Sequence, residues 1–169
     1  MSVLHAALAL VAAQRLAELA LAARNTRLLK ARGAYEIDAA VYPLFVALHL
    51  LWLLALLLLV PADAAPSWPL LAGYGLLQLA RVWVVASLGE RWTTRLVLLP
   101  GAPLRRRGPY RWCRHPNYLV VAAEIALLPL AFGAVGIALV FTVLNLLLLL
   151  RRVDIEDRAL HPESAALRR

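Results

Sequence analysis

The sequence predicts an all-α, polytopic integral membrane protein with about five transmembrane helices. Three observations carry that expectation. The chain is 63% hydrophobic over 169 residues, with a mean hydropathy of +0.73. That is more apolar surface than a soluble domain of this length can bury. The apolar residues fall into five runs, and the basic residues cluster in alternate segments between them, as expected of a chain threaded back and forth through a bilayer. Each crossing of roughly 30 Å of hydrocarbon takes about 20 mostly apolar residues. Four or five crossings therefore use up the chain and leave no second globular domain.

The first run covers residues 3–23 and carries Gln14, Arg15 and Glu18. These share one helix face, and the simplest reading is an intrahelical ion pair that locks packing. Ala20-Leu21-Ala22 resembles a signal-cleavage site. No basic region precedes it, however, and two charges interrupt the run, so the segment is expected to remain as a span. The second run, 41–60, carries His49, and the third, 68–88, carries Gln78 and Arg81 on one face.

The fourth and fifth runs, 117–132 and 134–150, are separated only by Gly133. A tight helical hairpin is expected there, since Gly133 and Gly136 both favour a turn. At ~1.5 Å per residue so short a helix does not reach across the bilayer, so the pair should lean or sit partly inside the protein. Pro129 is expected to kink the fourth helix near its end. Glu124 lies inside the fourth run and Asn145 inside the fifth. Each such polar group needs a partner or a purpose in hydrocarbon. Together with His49, Gln78 and Arg81 they could line one central cavity, or each could act separately as interhelical glue.

Charge orients the chain. Segments 24–38, 89–114 and the tail after Leu150 hold sixteen of the eighteen basic residues, whereas segments 1–5 and 61–67 hold none. This places the N-terminus outside and the C-terminus in the cytoplasm. An isoelectric point near 10.8 is better explained by topogenic arginines and contacts with membrane lipids than by a nucleic-acid partner. Cys113 is the single cysteine, and His5, His49, His115 and His161 lack ligand spacing, so no disulfide or metal site is expected. No phosphate loop, serine-hydrolase elbow or internal repeat is present, and no feature sets an oligomeric state.

The densest polar cluster is Gly108-Pro109-Tyr110-Arg111-Trp112-Cys113-Arg114-His115-Pro116-Asn117-Tyr118. Gly108-Pro109 makes a rigid turn, and Pro116 can open a helix at its first position. Free amides there, beside Arg114 and His115, would suit an anion. The aromatic residues could stack on a flat ring, or they could form an interfacial belt with the arginines. A second cluster, Arg151-Arg152-Val153-Asp154-Ile155-Glu156-Asp157, follows the fifth run. If that helix continues into the cytoplasm, Asn145, Arg152 and Glu156 share a face, with Arg152 and Glu156 as i, i+4 neighbours. In isolation this reads as an ordinary surface pair.

Arg-His-Pro-Asn-Tyr at 114–118, preceded by Gly-Pro-Tyr-Arg at 108–111, resembles the signature of the isoprenylcysteine carboxyl methyltransferase family. So does Arg152-x-x-x-Glu156 followed by an acid, just after a short two-helix hairpin. Over most of the chain the likeness extends to a bacterial branch associated with type III polyketide synthases, which implies a bacterial inner or plasma membrane. It is carried by Arg15-x-x-Glu18, Arg24-Asn25, Gly33-Ala34-x-Glu36, Tyr42-Pro43, Leu48-His49, Gln78-x-x-Arg81-x-Trp83 and Leu88-Gly89-x-x-Trp92-Thr93.

The resemblance implies that residues 1–169 form a single membrane methyltransferase domain that uses S-adenosyl-L-methionine without a metal. The cofactor would lie in a cytoplasm-facing pocket formed by the last two helices and a C-terminal helical segment. A lipophilic acceptor, such as an alkylpyrone, a phenolic lipid or a prenylcysteine-like carboxylate, would enter from the bilayer. Tyr110, Arg114, His115, Pro116, Asn117, Tyr118 and Glu156 would bind the cofactor, and Arg152 and Glu156 would serve catalysis. Glu156 would either orient Arg152 or hold a cofactor hydroxyl or amine. His49, Gln78, Arg81, Trp83, Glu124 and Asn145 are the candidates for a substrate cavity. Eukaryotic relatives act on prenylated protein termini and carry additional spans. This short chain has no evident surface for docking a protein, which favours a free lipid.

An arginine beside the acceptor would favour an ionised oxygen. It would suit less well the amine acceptor of a phospholipid N-methyltransferase, the nearest alternative enzyme. A non-enzymatic transporter or scaffold is the other alternative, and it predicts no cofactor binding.

Overall fold

The computed structural model describes residues 2–37, 39–103 and 106–160. His161 lies outside the described residues, as do Arg105, Arg168 and Arg169 of the basic segments. Among the described residues five α-helices follow in order: α1 (Val3–Ala31), α2 (Tyr42–Leu59), α3 (Trp68–Leu88), α4 (Pro116–Ala131) and α5 (Val135–Leu160). The protein is an all-α membrane protein. Four of the helices are long and apolar enough to cross a bilayer, and α4 is the shorter one.

Local chemistry sets the helix ends. The Ser2 hydroxyl accepts from the His5 amide at 3.4 Å and caps α1, while α2, α3 and α4 each begin with a proline in the first turn, where the missing amide costs nothing. Between α4 and α5 the chain reverses through Gly133, whose φ of +71° suits a residue without Cβ. The Ala134 amide donates to Pro129 O at 2.9 Å to close the hairpin. Pro129 therefore falls in the final turn, where the helix is already ending.

α4 is about 24 Å long at ~1.5 Å per residue, short of a full crossing. It packs against both α3 and α5, and Val120, Val121, Glu124, Ile125, Leu128 and Ala131 are buried along it. Its burial compensates for its length. At one end of the bundle Leu4, Leu8 and Val11 of α1 pack with Trp52, Leu56, Tyr74, Ile125 and Leu128. At the other end Val41, Phe45 and Leu149 form a smaller cluster with Tyr118, Ala122 and Ile155. Leucines such as Leu50, Leu58, Leu79, Leu139 and Leu147 face outward, as a helix in lipid permits.

Two helices outrun their apolar stretches. α1 continues to Ala31, carrying Arg24, Arg27 and Lys30 beyond the apolar run, and α5 continues unbroken to Leu160. The C-terminal helical segment is thus the projecting end of α5. At this arginine-rich end Tyr35–Glu36 (β1) pairs antiparallel with Val97–Leu98 (β2), in the register Tyr35↔Leu98 and Glu36↔Val97. The pairing ties the segment after α1 to the segment after α3.

Candidate functional site

The arginine-rich end contains a cleft walled by three pieces of chain: residues 88–97, the turn leading into α4, and the end of α5. Its lining includes Arg91, Trp92, Thr93, Arg95, Tyr110, Arg114, His115, Asn117, Tyr118, Arg152 and Glu156. The cavity holds about 140 Å³ and opens to solvent.

Backbone geometry places the first wall. A 3-10 turn, Gly108–Arg111, packs on α3. Gly108 has φ +54°, and a Cβ there would lie 2.1 Å from Ser87 Oγ, so only glycine lets the turn pass so close. Pro116 is buried and opens α4, leaving His115 at the cap position with no side-chain capping bond. The His115 ring is free to stack on Tyr118 instead, with centroids 5.1 Å apart and planes within 4°.

The centre of the cleft is a three-residue relay of hydrogen bonds. Arg152 Nε donates to the Tyr118 hydroxyl at 3.0 Å, and that hydroxyl donates to Glu156 Oε2 at 2.8 Å. His115 Nδ1 lies 3.7 Å from the same Glu156 oxygen. Among the described residues Arg152 and Glu156 form no direct ion pair; the tyrosine stands between them. The Arg152 guanidinium also lies over Phe45 at 5.3 Å and over the Tyr118 ring at 5.5 Å, which fixes its plane. Arg114 Nη2 donates to Asp157 Oδ1 at 3.1 Å and joins the turn to α5. Burial, followed by the Glu156 carboxylate and Cys113, holds the Tyr110 phenol above its ordinary range.

Tyr110, Arg114, His115, Asn117, Tyr118, Arg152 and Glu156 are therefore brought together in one cleft. The residues expected around a central cavity are divided. Gln78, Arg81 and Glu124 meet Gln14, Arg15 and Glu18 in a separate network inside the bundle. Arg15 and Glu18 do pair within α1 at 2.9 Å. Arg81 also bonds Glu18, with its Nη2 at 2.5 Å, and Arg15 reaches Glu124 at 2.6 Å, so the pair links α1 to α3 and α4. His49 instead donates from Nδ1 to Phe45 O at 2.8 Å. Asn145 is fully buried on α5, with both amide atoms unpartnered among the described residues. Trp83 is half exposed and packs against Trp112 outside the network.

Sequence reasoning missed the wall that follows α3. Arg95 Nη1 donates to Glu36 Oε1 at 2.7 Å, and its guanidinium lies 4.3 Å over the Tyr42 ring. Arg91 Nη1 donates to Pro103 O at 2.6 Å. In the sequence both arginines stand only among the topogenic charges of segment 89–114. The Trp92-Thr93 pair within the family resemblance was the signal available. Asn25, 1% exposed, steadies this wall from α1 by donating from Nδ2 to Trp92 O at 2.8 Å and Gly89 O at 3.1 Å.

A helical membrane bundle with an open, arginine-lined cleft at one end is a scaffold for binding a polar or charged ligand beside lipid. Comparison with known proteins narrows that class. Residues 70–162 match the model of the isoprenylcysteine carboxyl methyltransferase (ICMT) family, which spans the cleft from α3 to the end of α5. The chain is also 37% identical over 161 residues to the uncharacterized protein YpbQ of Bacillus subtilis (strain 168), covering 93% of this chain and 96% of that protein. No solved structure matches it. The chain belongs to the isoprenylcysteine carboxyl methyltransferase family, whose members are membrane methyltransferases that use S-adenosylmethionine.

Proposed function

We propose that this protein is an integral-membrane, S-adenosylmethionine-dependent O-methyltransferase acting on a lipophilic acceptor of the alkylpyrone or phenolic-lipid kind. The observation that carries the reading is the Arg152–Tyr118–Glu156 relay at the centre of the cleft. The chemistry of the lining fits the cofactor. Asn117 Oδ1 and Trp92 Nε1, one acceptor and one donor on cleft-lining residues, are buried without partners among the described residues. Buried polar atoms left in that state cost free energy until something bonds them. Asn117, Trp92, His115, Tyr110 and Glu156 would hold the cofactor's adenosine and amino-acid groups.

When bound, S-adenosylmethionine supplies an electrophilic methyl group, which passes to the acceptor oxygen while the sulfur keeps the electron pair of the broken carbon–sulfur bond. The chain's own contribution is electrostatic and positional. Tyr118 engages Arg152 through Nε alone, and among the described residues both Nη atoms lack a hydrogen-bond partner. That fork can stabilise an acceptor oxyanion. A hydroxypyrone or carboxylate is ionised near neutral pH and needs no strong general base, whereas a phenol would have to give up its proton under the pull of the Arg152 guanidinium. Tyr118 and Phe45 hold the guanidinium plane in place, and orientation of the two reactants is the main catalytic need.

Calorimetry of the solubilised protein with S-adenosylhomocysteine tests the reading, followed by methyl transfer to alkylpyrone, alkylresorcinol, prenylcysteine and amine-headgroup acceptors. Saturable binding that weakens in His115→Ala, together with transfer to an oxygen acceptor, supports it. Failure of the folded protein to bind would refute it, and transfer only to an amine would move the chain to N-methylation. We further propose an outside N-terminus and a cytoplasmic C-terminus, which puts the cleft on the cytoplasmic side. In a Cys113→Ser background, a cysteine at Ala64 should label from outside and one at Ala102 only from inside. Labelling of both from one side would overturn the arrangement.

A further inference from the structure

The segment that walls the cleft has a second face. Tyr110, His115, Asn117 and Tyr118 line the cleft, while Arg111 and Trp112 between them are exposed. Trp112 is 70% exposed and packs edge-on against Trp83, with ring centroids 5.9 Å apart and planes at 62°. Trp83 closes an outward stripe of α3 that also holds the largely exposed Leu76 and Leu79. Residues at that spacing share one helix face, so the stripe faces lipid. The tryptophan pair marks its end at the arginine-rich side, where aromatic side chains settle at the boundary of the hydrocarbon.

Positive charge surrounds this pair. The Arg111 guanidinium lies 4.9 Å over the Trp112 ring, and Arg106 and Arg107 are exposed in the same loop. No acidic residue occurs in the sequence between Glu90 and Glu124, so nothing in this stretch neutralises them. Arg114, on the cleft side, is already paired with Asp157.

We propose that Arg106, Arg107 and Arg111, around the Trp83–Trp112 pair, form a binding surface for the headgroups of anionic phospholipids. Lipid bound there steadies the loop whose other face is a wall of the cleft. The coupling is mechanical. Gly108 is wedged against Ser87 and Trp83, and only two residues separate Trp112 from His115. The interfacial belt and the ligand site are thus two faces of one segment. The effect on the cofactor rests on the proposed function, whereas the lipid surface itself does not.

The test uses the full chain in nanodiscs of phosphatidylcholine alone and of phosphatidylcholine with phosphatidylglycerol. Amide hydrogen exchange across residues 106–115 should slow by at least about fivefold in the anionic bilayer, the contribution of a single arginine near such a surface. Exchange in α2 should not change. Arg106→Gln/Arg107→Gln/Arg111→Gln and, separately, Trp112→Ala should abolish the difference, while S-adenosylhomocysteine binding in detergent is retained. In wild type that binding should weaken severalfold on moving from the anionic to the neutral bilayer. Equal exchange in both bilayers would overturn the proposal, as would protection that persists in both variants. Equal protection by inorganic phosphate in detergent would also overturn it, since the site would then take free anions. Lipid-dependent protection without S-adenosylhomocysteine binding in any bilayer would leave the surface standing and remove the methyltransferase reading.

Discussion

The molecule uses arginine and glutamate in two places with opposite outcomes. Inside the bundle Arg15, Glu18, Arg81 and Glu124 balance two charges against two, and all four carboxylate oxygens accept from Gln14, Arg15, Gln78 or Arg81. Glu124 is 0% exposed and the Arg81 side chain 6%. In the cleft, among the described residues, Glu156 bonds through Oε2 alone, Arg152 bonds through Nε alone, and a neutral phenol links them. Along α3, Arg81 lies seven residues from Leu88, about 10 Å deeper than the cleft. Depth explains the difference. Where water cannot reach, an ionised carboxylate persists only if its oxygens are met by donors and its charge is paired, because an uncompensated buried charge carries a large desolvation cost. Near the aqueous boundary bonding capacity can be left open for a ligand. The inner cluster, whose carboxylate oxygens are all met although Arg15 Nε and Gln78 Oε1 are not, clamps α1 to α3 and α4, and the cleft pair keeps bonding capacity for a ligand.

The largest effect that would break this comparison is on stability. Glu124→Gln removes the carboxylate that faces both Arg15 and Arg81 and leaves excess positive charge buried. It should lower unfolding stability by about 3–5 kcal/mol, read as a lower melting temperature in detergent. Cofactor affinity of the folded fraction should be unchanged. A normal melting temperature with lost S-adenosylhomocysteine binding would instead place the inner network in the working site. Next in size is Arg152→Lys, which should melt like wild type yet lose about a hundredfold in single-turnover methyl transfer. An ammonium keeps the charge but cannot offer a planar fork to the acceptor. Near-normal turnover would show that diffuse positive charge suffices, and the contrast between the two clusters would lose its chemical half.

Much of this was legible in the sequence, up to a physical limit. The apolar run 68–88 coincides with α3, and the hairpin falls at Gly133 as the short spacer required, while Gly136, also expected in the turn, lies in the first turn of α5. Hydropathy does not see helix beyond the membrane, so α1 and α5 proved longer than their apolar stretches. The β1–β2 pairing, two residues on each side, is too short to leave a periodic signal. At the site, helical spacing brought Arg15 and Glu18 together correctly because that pair is local. The same spacing suggested direct contact between Arg152 and Glu156, and there it misled, because Tyr118 comes from another helix. Arg91 and Arg95 were counted as charge because their cleft-facing role depends on a loop held by Asn25 and Glu36. Local pairs can be read from sequence, but contacts that need a third element cannot.

Tyr118→Phe should produce the smallest change and sharpen the comparison most. The substitution removes only the hydroxyl that receives Arg152 Nε and donates to Glu156 Oε2. The ring that stacks on His115 and lies beneath Arg152 remains. Arg152 and Glu156 sit one helical turn apart on α5, so without the hydroxyl they can pair directly. Stability should therefore change by no more than about 1 kcal/mol, the net value of an ordinary hydrogen bond. Direct pairing would turn the guanidinium toward Glu156 and draw both groups away from their ligands. Single-turnover methyl transfer should fall by roughly tenfold, with a smaller loss of cofactor affinity. The inner network has no such fallback, since Glu124 has no substitute acceptor within its own helix. Equal losses of stability in Tyr118→Phe and Glu124→Gln would mean that the cleft relay is also a clamp. A stable Tyr118→Phe enzyme with slowed transfer would show that the tyrosine keeps Arg152 and Glu156 apart for catalysis.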